Sequence, residues 1–161
     1  MYRISSALLT LILTLGLTGT DCQAQADTRD WNQDYDPYFG ALGLNFGASS
    51  GSGLAFRWPA LRQTMFTATG AAWGKSGELQ WNFGLEAHYI LRQAGRTRLF
   101  VGPSSAYYQL DDDGIWNIGG GVGLEILLWP RWALKMDVSF TWLGEEEAVY
   151  PLPQAGLLYY W

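Results

Sequence analysis

The stretch Glu78-Leu79-Gln80-Trp81-Asn82-Phe83-Gly84-Leu85-Glu86-Ala87-His88-Tyr89-Ile90-Leu91 decides the fold of this chain. Its odd positions are apolar throughout: Leu79, Trp81, Phe83, Leu85, Ala87, Tyr89 and Leu91. Its even positions are polar or small until Ile90: Glu78, Gln80, Asn82, Gly84, Glu86 and His88. A helix would smear these two sets around its circumference, whereas a strand sends them to opposite faces. The segment therefore predicts a strand with one apolar and one polar face.

Outward from that stretch, the same period recurs. In 132–143, Trp132, Leu134, Met136, Val138, Phe140 and Trp142 share a face, and Lys135, Asp137, Ser139 and Thr141 share the other. In 114–128, Trp116, Ile118, Val122, Leu124, Ile126 and Leu128 oppose Asn117, Gly119, Gly121, Gly123 and Glu125. Ala155, Leu157, Tyr159 and Trp161 alternate to the last residue. Turn residues divide the chain into eight predicted strands, at 37–47, 53–59, 64–74, 78–92, 97–109, 114–128, 132–143 and 149–161. The second is short, and the fifth, which contains Pro103, alternates poorly.

Composition selects the solvent. Charged residues make up 16% of the chain, against about 25% in soluble domains. Aromatic residues are another 16%, with nine Trp and nine Tyr among 161 residues. Indole and phenol rings favour the membrane–water interface. Trp73, Trp81, Trp116 and Trp142 fall near one end of their strands, and Tyr38, Trp58, Tyr89, Trp129, Trp132 and Trp161 near the other. Two girdles around an aliphatic band suit a barrel in lipid. In hydrocarbon every backbone polar group needs an internal partner, so such a sheet must close. The expected fold is all-β: a closed eight-stranded antiparallel up-and-down transmembrane β-barrel over 37–161.

Export is written at the N-terminus. Arg3 precedes an apolar run over 7–17, and Ala24-Gln25-Ala26 offers a small-x-small cleavage site. That run is too short to span a bilayer, which needs about 20 residues. Residues 1–26 read as a signal peptide and 27–36 as a short polar periplasmic segment. Cys22, the single cysteine, lacks the apolar and small residues that a lipidation signal places before it. An even strand count puts both chain termini on the periplasmic side in a Gram-negative cell, the barrel itself lying in the outer membrane. Periplasmic turns are then expected at 60–63, 93–96 and 129–131, and outer loops at 48–52, 75–77, 111–113 and 144–148. The acidic runs 111–113 and 145–147 read as solvated loop residues, the alternative being divalent-cation contact with lipopolysaccharide.

Eight strands leave an interior just wide enough for side chains to fill. The inward set includes Arg57, Glu86, His88, Glu125, Lys135 and Asp137. Buried charges should be paired, because an isolated one is very costly. Hairpin geometry places Glu125 beside Lys135, which predicts an ion pair between them. Gly119, Gly121 and Gly123 leave room for larger neighbours.

With these features the chain resembles the small eight-stranded outer-membrane barrels of the OmpX and OmpA-transmembrane type, over about 36–161. Its ending, Leu157-x-Tyr159-x-Trp161, resembles the signal read by the barrel-assembly machinery, with Trp in place of the commoner Phe. The resemblance implies outer-membrane lipids and lipopolysaccharide as surroundings and the assembly machinery as a partner in biogenesis. Family members include structural anchors, adhesion and resistance factors and a few lipid-modifying enzymes.

Four functional classes follow. A non-enzymatic structural or interaction barrel with a polar, filled lumen suits the residues best. A narrow pore for small solutes is the alternative, opposed by the paired interior. A lipid A-modifying acyl enzyme needs a His with Ser and an acid. Here His88, the single histidine, is followed by Tyr89 and Ile90 and points inward. A soluble lipocalin-like barrel would turn its apolar face inward, the inverse of this pattern. A net charge of -5 offers no basic patch for nucleic acid. No cofactor motif or metal-ligand cluster is present in the sequence, so neither is expected.

Overall fold

The computed structural model describes residues 40–61, 63–75, 78–110 and 113–161. Eight strands follow in chain order: β1 Ala41–Phe46, β2 Gly53–Leu61, β3 Thr64–Lys75, β4 Glu78–Ala94, β5 Thr97–Leu110, β6 Asp113–Trp129, β7 Trp132–Leu143 and β8 Ala148–Tyr160. The expected signal peptide, its cleavage site, Cys22 and Tyr38 lie outside the described residues. Each strand pairs antiparallel with its sequence neighbours, and β1 closes on β8, from Ala41 opposite Tyr160 to Phe46 opposite Ala155. The result is the closed eight-stranded up-and-down barrel that the alternation predicted. Closure through β1 removes the sheet edge over most of the wall, although residues 71–75 of β3 and 148–154 of β8 run on beyond their pairing with β2 and β1.

The period of two sets the facing throughout. On β7, Phe140 is 64% exposed while its neighbours Ser139 and Thr141 are 1% and 0% exposed. On β4, Trp81, Phe83, Leu85 and Tyr89 face out, and Asn82, Gly84, Glu86 and His88 are buried inside. The lumen therefore holds the polar set and the outer wall the apolar one.

Gly40 and Trp161 meet at one end of the barrel, where the Trp161 amide donates to the Gly40 carbonyl at 3.3 Å. We call this the terminal end and the opposite one the far end. Register shifts at 59–61, 90–92 and 127–129 all fall near the terminal end. Bulges of this kind let a barrel rim bend and end its pairing. The weakly alternating β5 still forms a full strand. Its Pro103 has no N–H to donate, and pairing with β4 is interrupted there, between Ser104 opposite Glu86 and Val101 opposite Tyr89.

One connection departs from expectation. The loop between β1 and β2, here L1 (47–52), does not lie outside the barrel as a surface loop. It folds into the far half of the lumen, where Ser49 and Ser50 are both 0% exposed. A buried loop normally carries backbone groups that nothing satisfies. L1 avoids this because the wall supplies partners, and because Gly47, Ala48, Ser49, Ser50, Gly51 and Ser52 are all small.

Candidate functional site: the filled lumen

From the terminal end inward, the lumen begins with apolar side chains. Leu127, Ala133 and Leu158 are buried there together with Tyr160. Next comes a charged layer. Arg57 on β2 reaches across to Glu125 on β6 and forms an ion pair with it. The same guanidinium donates through Nε to Thr67 Oγ1 at 3.0 Å and through Nη1 to the Tyr160 hydroxyl at 3.2 Å. Its Nη2 lies 3.1 Å from His88 Nδ1. Because a guanidinium only donates, Nδ1 accepts, and the neutral ring carries its proton on Nε2. That nitrogen faces Glu86 Oε2 at 3.6 Å. Glu125 Oε1 accepts from the Tyr160 hydroxyl at 2.9 Å and from Arg98 Nη1 at 3.3 Å. Lys135 on β7 donates to both oxygens of Glu86 on β4, at 2.6 and 2.7 Å, and lies 3.5 Å from Asp137.

The register places Glu125 directly beside Lys135, yet the expected ion pair between them is replaced by two others. Inward neighbours on adjacent strands stand side by side on the wall. Long side chains then extend toward the axis, where Arg57 on β2 meets Glu125 on β6 and Lys135 on β7 meets Glu86 on β4, while Arg98 pairs with Glu125 from the adjacent strand. Glu125 turns to Arg57 and Arg98, and Lys135 turns to Glu86. Arg57, Glu86, Glu125 and Lys135 are all at most 2% exposed. Such a layer is tolerable only when each charge has its partner.

Thr67, Arg98 and Tyr160 were absent from the sequence reading of this layer. Tyr160 alternates with the outward Tyr159 and Trp161, a pattern that already implied an inward hydroxyl. Arg98 sits on β5, whose alternation is weakest. Its Nε donates to Gln93 at 2.9 Å, and its guanidinium lies 5.9 Å from the Tyr160 ring centroid.

Above the charges the lining becomes neutral and small, and L1 occupies the space. Ser49 Oγ lies 2.7 Å from Ser104 Oγ and 3.2 Å from Ser139 Oγ, and accepts from Gln154 Nε2 at 2.8 Å and Thr141 Oγ1 at 3.2 Å. Asn82 clamps Ser52 twice: its Oδ1 accepts from the Ser52 amide and its Nδ2 donates to the Ser52 carbonyl, both at 2.9 Å. Asn45 Nδ2 donates to Ser50 Oγ at 2.9 Å, Tyr108 to the Gly47 carbonyl at 2.7 Å, and Asn117 to the Ala48 carbonyl at 3.0 Å. Two glycines make the fit possible. A Cβ on Gly84 would collide with the Ser50 carbonyl, and one on Gly119 with the Ser49 hydroxyl.

On the outer wall, Trp73, Trp81, Trp116 and Trp142 stand toward the far end and Trp58, Trp129, Trp132 and Trp161 toward the terminal end. Tyr107 lies between Trp81 and Trp116, with ring centroids 5.3 and 5.1 Å away. Trp58 stacks with Phe56 and Phe66, and Trp132 packs edge-on against Tyr159. Leu157, Tyr159 and Trp161 occupy one outward face of β8 and the residue after it. The acidic residues 145–147 are exposed at the far end. Asp111 and Asp112 lie outside the described residues. Among the described residues, no group of three or more His, Cys, Asp or Glu side chains is placed to hold a metal ion.

No family model and no curated protein matches the chain. A search of solved structures finds Ail, the attachment invasion locus protein of Yersinia pestis, at 10% identity and a TM-score of 0.32, over 75% of this chain and 93% of that one.

Proposed function

We propose that this chain is a non-enzymatic outer-membrane barrel that serves as a structural or interaction component of that membrane. The observation that carries the reading is the inversion of its faces. Leu42, Leu54, Leu79, Phe83, Ile118, Val138 and Phe140 are exposed on the wall, while Arg57, Glu86, Glu125 and Lys135 are buried. In water such a wall would be an aggregation surface. In hydrocarbon it is the favourable arrangement, and the tryptophans at both ends sit where headgroups begin.

On this reading the terminal end faces the periplasm and the far end faces outward. Outer-membrane lipids and lipopolysaccharide surround the wall, and the assembly machinery reads the C-terminal Leu157, Tyr159 and Trp161. The acidic loop residues 145–147 are solvated there. The lumen supports a non-enzymatic role, because His88 is occupied by Arg57 and Glu86 and packs 4.3 Å from Phe100. It does not reach the lipid outside. The charged layer likewise opposes steady conduction.

Fractionation followed by gel mobility in cold detergent tests the proposal. The protein should sediment with outer membranes and change mobility only after boiling. Recovery in the soluble periplasmic fraction, with one mobility, would reject it.

A further inference from the structure

L1 fills the far half of the lumen by means unlike those that fill the other half. Neutral hydrogen bonds fasten it to Asn45, Asn82, Ser104, Tyr108, Asn117, Ser139, Thr141 and Gln154. Water can replace such bonds one for one. The charged layer beneath has no such freedom, since parting Arg57 from Glu125 or Lys135 from Glu86 strands buried charge.

Three further observations concern movement. L1 ends in glycine hinges: Gly51 has φ +78° and Gly53 φ +137°, values that other residues rarely adopt. A cleft of about 270 Å³ opens beyond Ala48, between Tyr108, Leu143 and Glu145, so the loop has space on its outward side. The plugged arrangement also leaves polar atoms underused. Thr69 Oγ1 and Gln154 Oε1 are buried with no hydrogen-bond partner among the described residues. Unplugging would let water reach both.

We infer that L1 is a reversible plug. Its withdrawal opens the far half of the lumen, a chamber lined by hydroxyls, amides and glycines, to water and small uncharged polar solutes. The charged layer remains closed as its floor. The opened barrel is thus a blind polar pit. This goes beyond the structural role proposed above and does not rest on it, because it concerns the folded barrel in any lipid or micelle.

Thr67 and Thr69 supply the test. They are two residues apart on β3 and equally buried, at 1% and 2% exposure. Thr67 bonds Arg57 in the charged layer, whereas Thr69 lies opposite Gly84, which L1 covers. In a Cys22→Ser background, Thr69→Cys and Thr67→Cys are exposed separately to a small neutral methanethiosulfonate in folded, heat-modifiable barrel. Ala41→Cys, buried at 0% exposure on β1 directly opposite Arg57, replaces Thr67→Cys if that variant fails to assemble. Thr69→Cys should react roughly a hundredfold faster than the reporter in the charged layer, because local opening costs less than global unfolding. Ser49→Ala, or Asn82→Ala as a second loosening variant, should accelerate Thr69→Cys about tenfold through its lost hydrogen bonds and leave the other reporter unchanged. Equal rates at the two reporters would mean that the lumen opens only by global unfolding, and would overturn the inference. A Thr69→Cys rate unmoved by both loosening variants would also overturn it.

Discussion

Lys135 shows how much one buried residue depends on its partner. Its ammonium is 1% exposed and shared between the two oxygens of Glu86. Lys135→Met removes the cation but leaves Glu86 in the lumen, and should cost roughly 3–5 kcal/mol. Lys135→Met with Glu86→Met removes both charges and should return most of that loss. Lys135→Met with Glu125→Met should return none, because Glu86 stays unpaired and Arg57 and Arg98 lose their carboxylate. Urea unfolding of the three variants in one lipid separates the cases. Equal rescue by either second change would show that the ion pairs are not those described. The same residue marks a limit of sequence reading. Period two and hairpin geometry place Lys135 inside and next to Glu125, but the reach of a long side chain across the lumen is not a local property.

Among the elements, β4 is the one most exposed to the consequences of L1. Gly84 was legible as an inward position, but its smallness reads equally as simple packing. The structure gives it a task, because the Ser50 carbonyl lies where a side chain would begin. Gly84→Ala should therefore displace L1 and destabilise the barrel by about 1–3 kcal/mol. Gly74→Ala on β3 meets nothing within 4 Å and should be nearly neutral. Unfolding midpoints of the two variants, measured side by side, check the contrast. Equal midpoints would mean that L1 does not press on β4. Asn82 follows the same logic, since its two bonds to Ser52 make it a clamp and not a passive lumen residue.

For the whole molecule, the prediction concerns depth. If the barrel spans a membrane as proposed, its tryptophans near the two barrel ends should lie at the interfaces, with few at the bilayer centre. Lipids brominated close to the headgroup should therefore quench the tryptophan emission more than lipids brominated at the chain ends. Stronger quenching from the chain ends would contradict a spanning orientation. This prediction uses only the placement of wall residues, so it is independent of what fills the lumen.

The sequence alone determined strand number, approximate bounds, facing and closure. Each follows from a local rule, since alternation fixes faces, turns fix lengths, and an apolar outer face demands a sheet without edges. It also determined that Arg57, Glu86, His88, Glu125, Lys135 and Asp137 point inward. Only the tertiary structure decided that Arg57 meets Glu125 and Lys135 meets Glu86, because each pair joins strands that are not neighbours in the sheet. It alone placed Arg98 and Tyr160 among them and drew L1 inside. L1 has no periodicity to read: seven small residues from Gly47 to Gly53 carry the signature of any surface turn. What pulls the loop inward is the void left by glycines and hydroxyls on distant strands, and that void exists only once the barrel has closed.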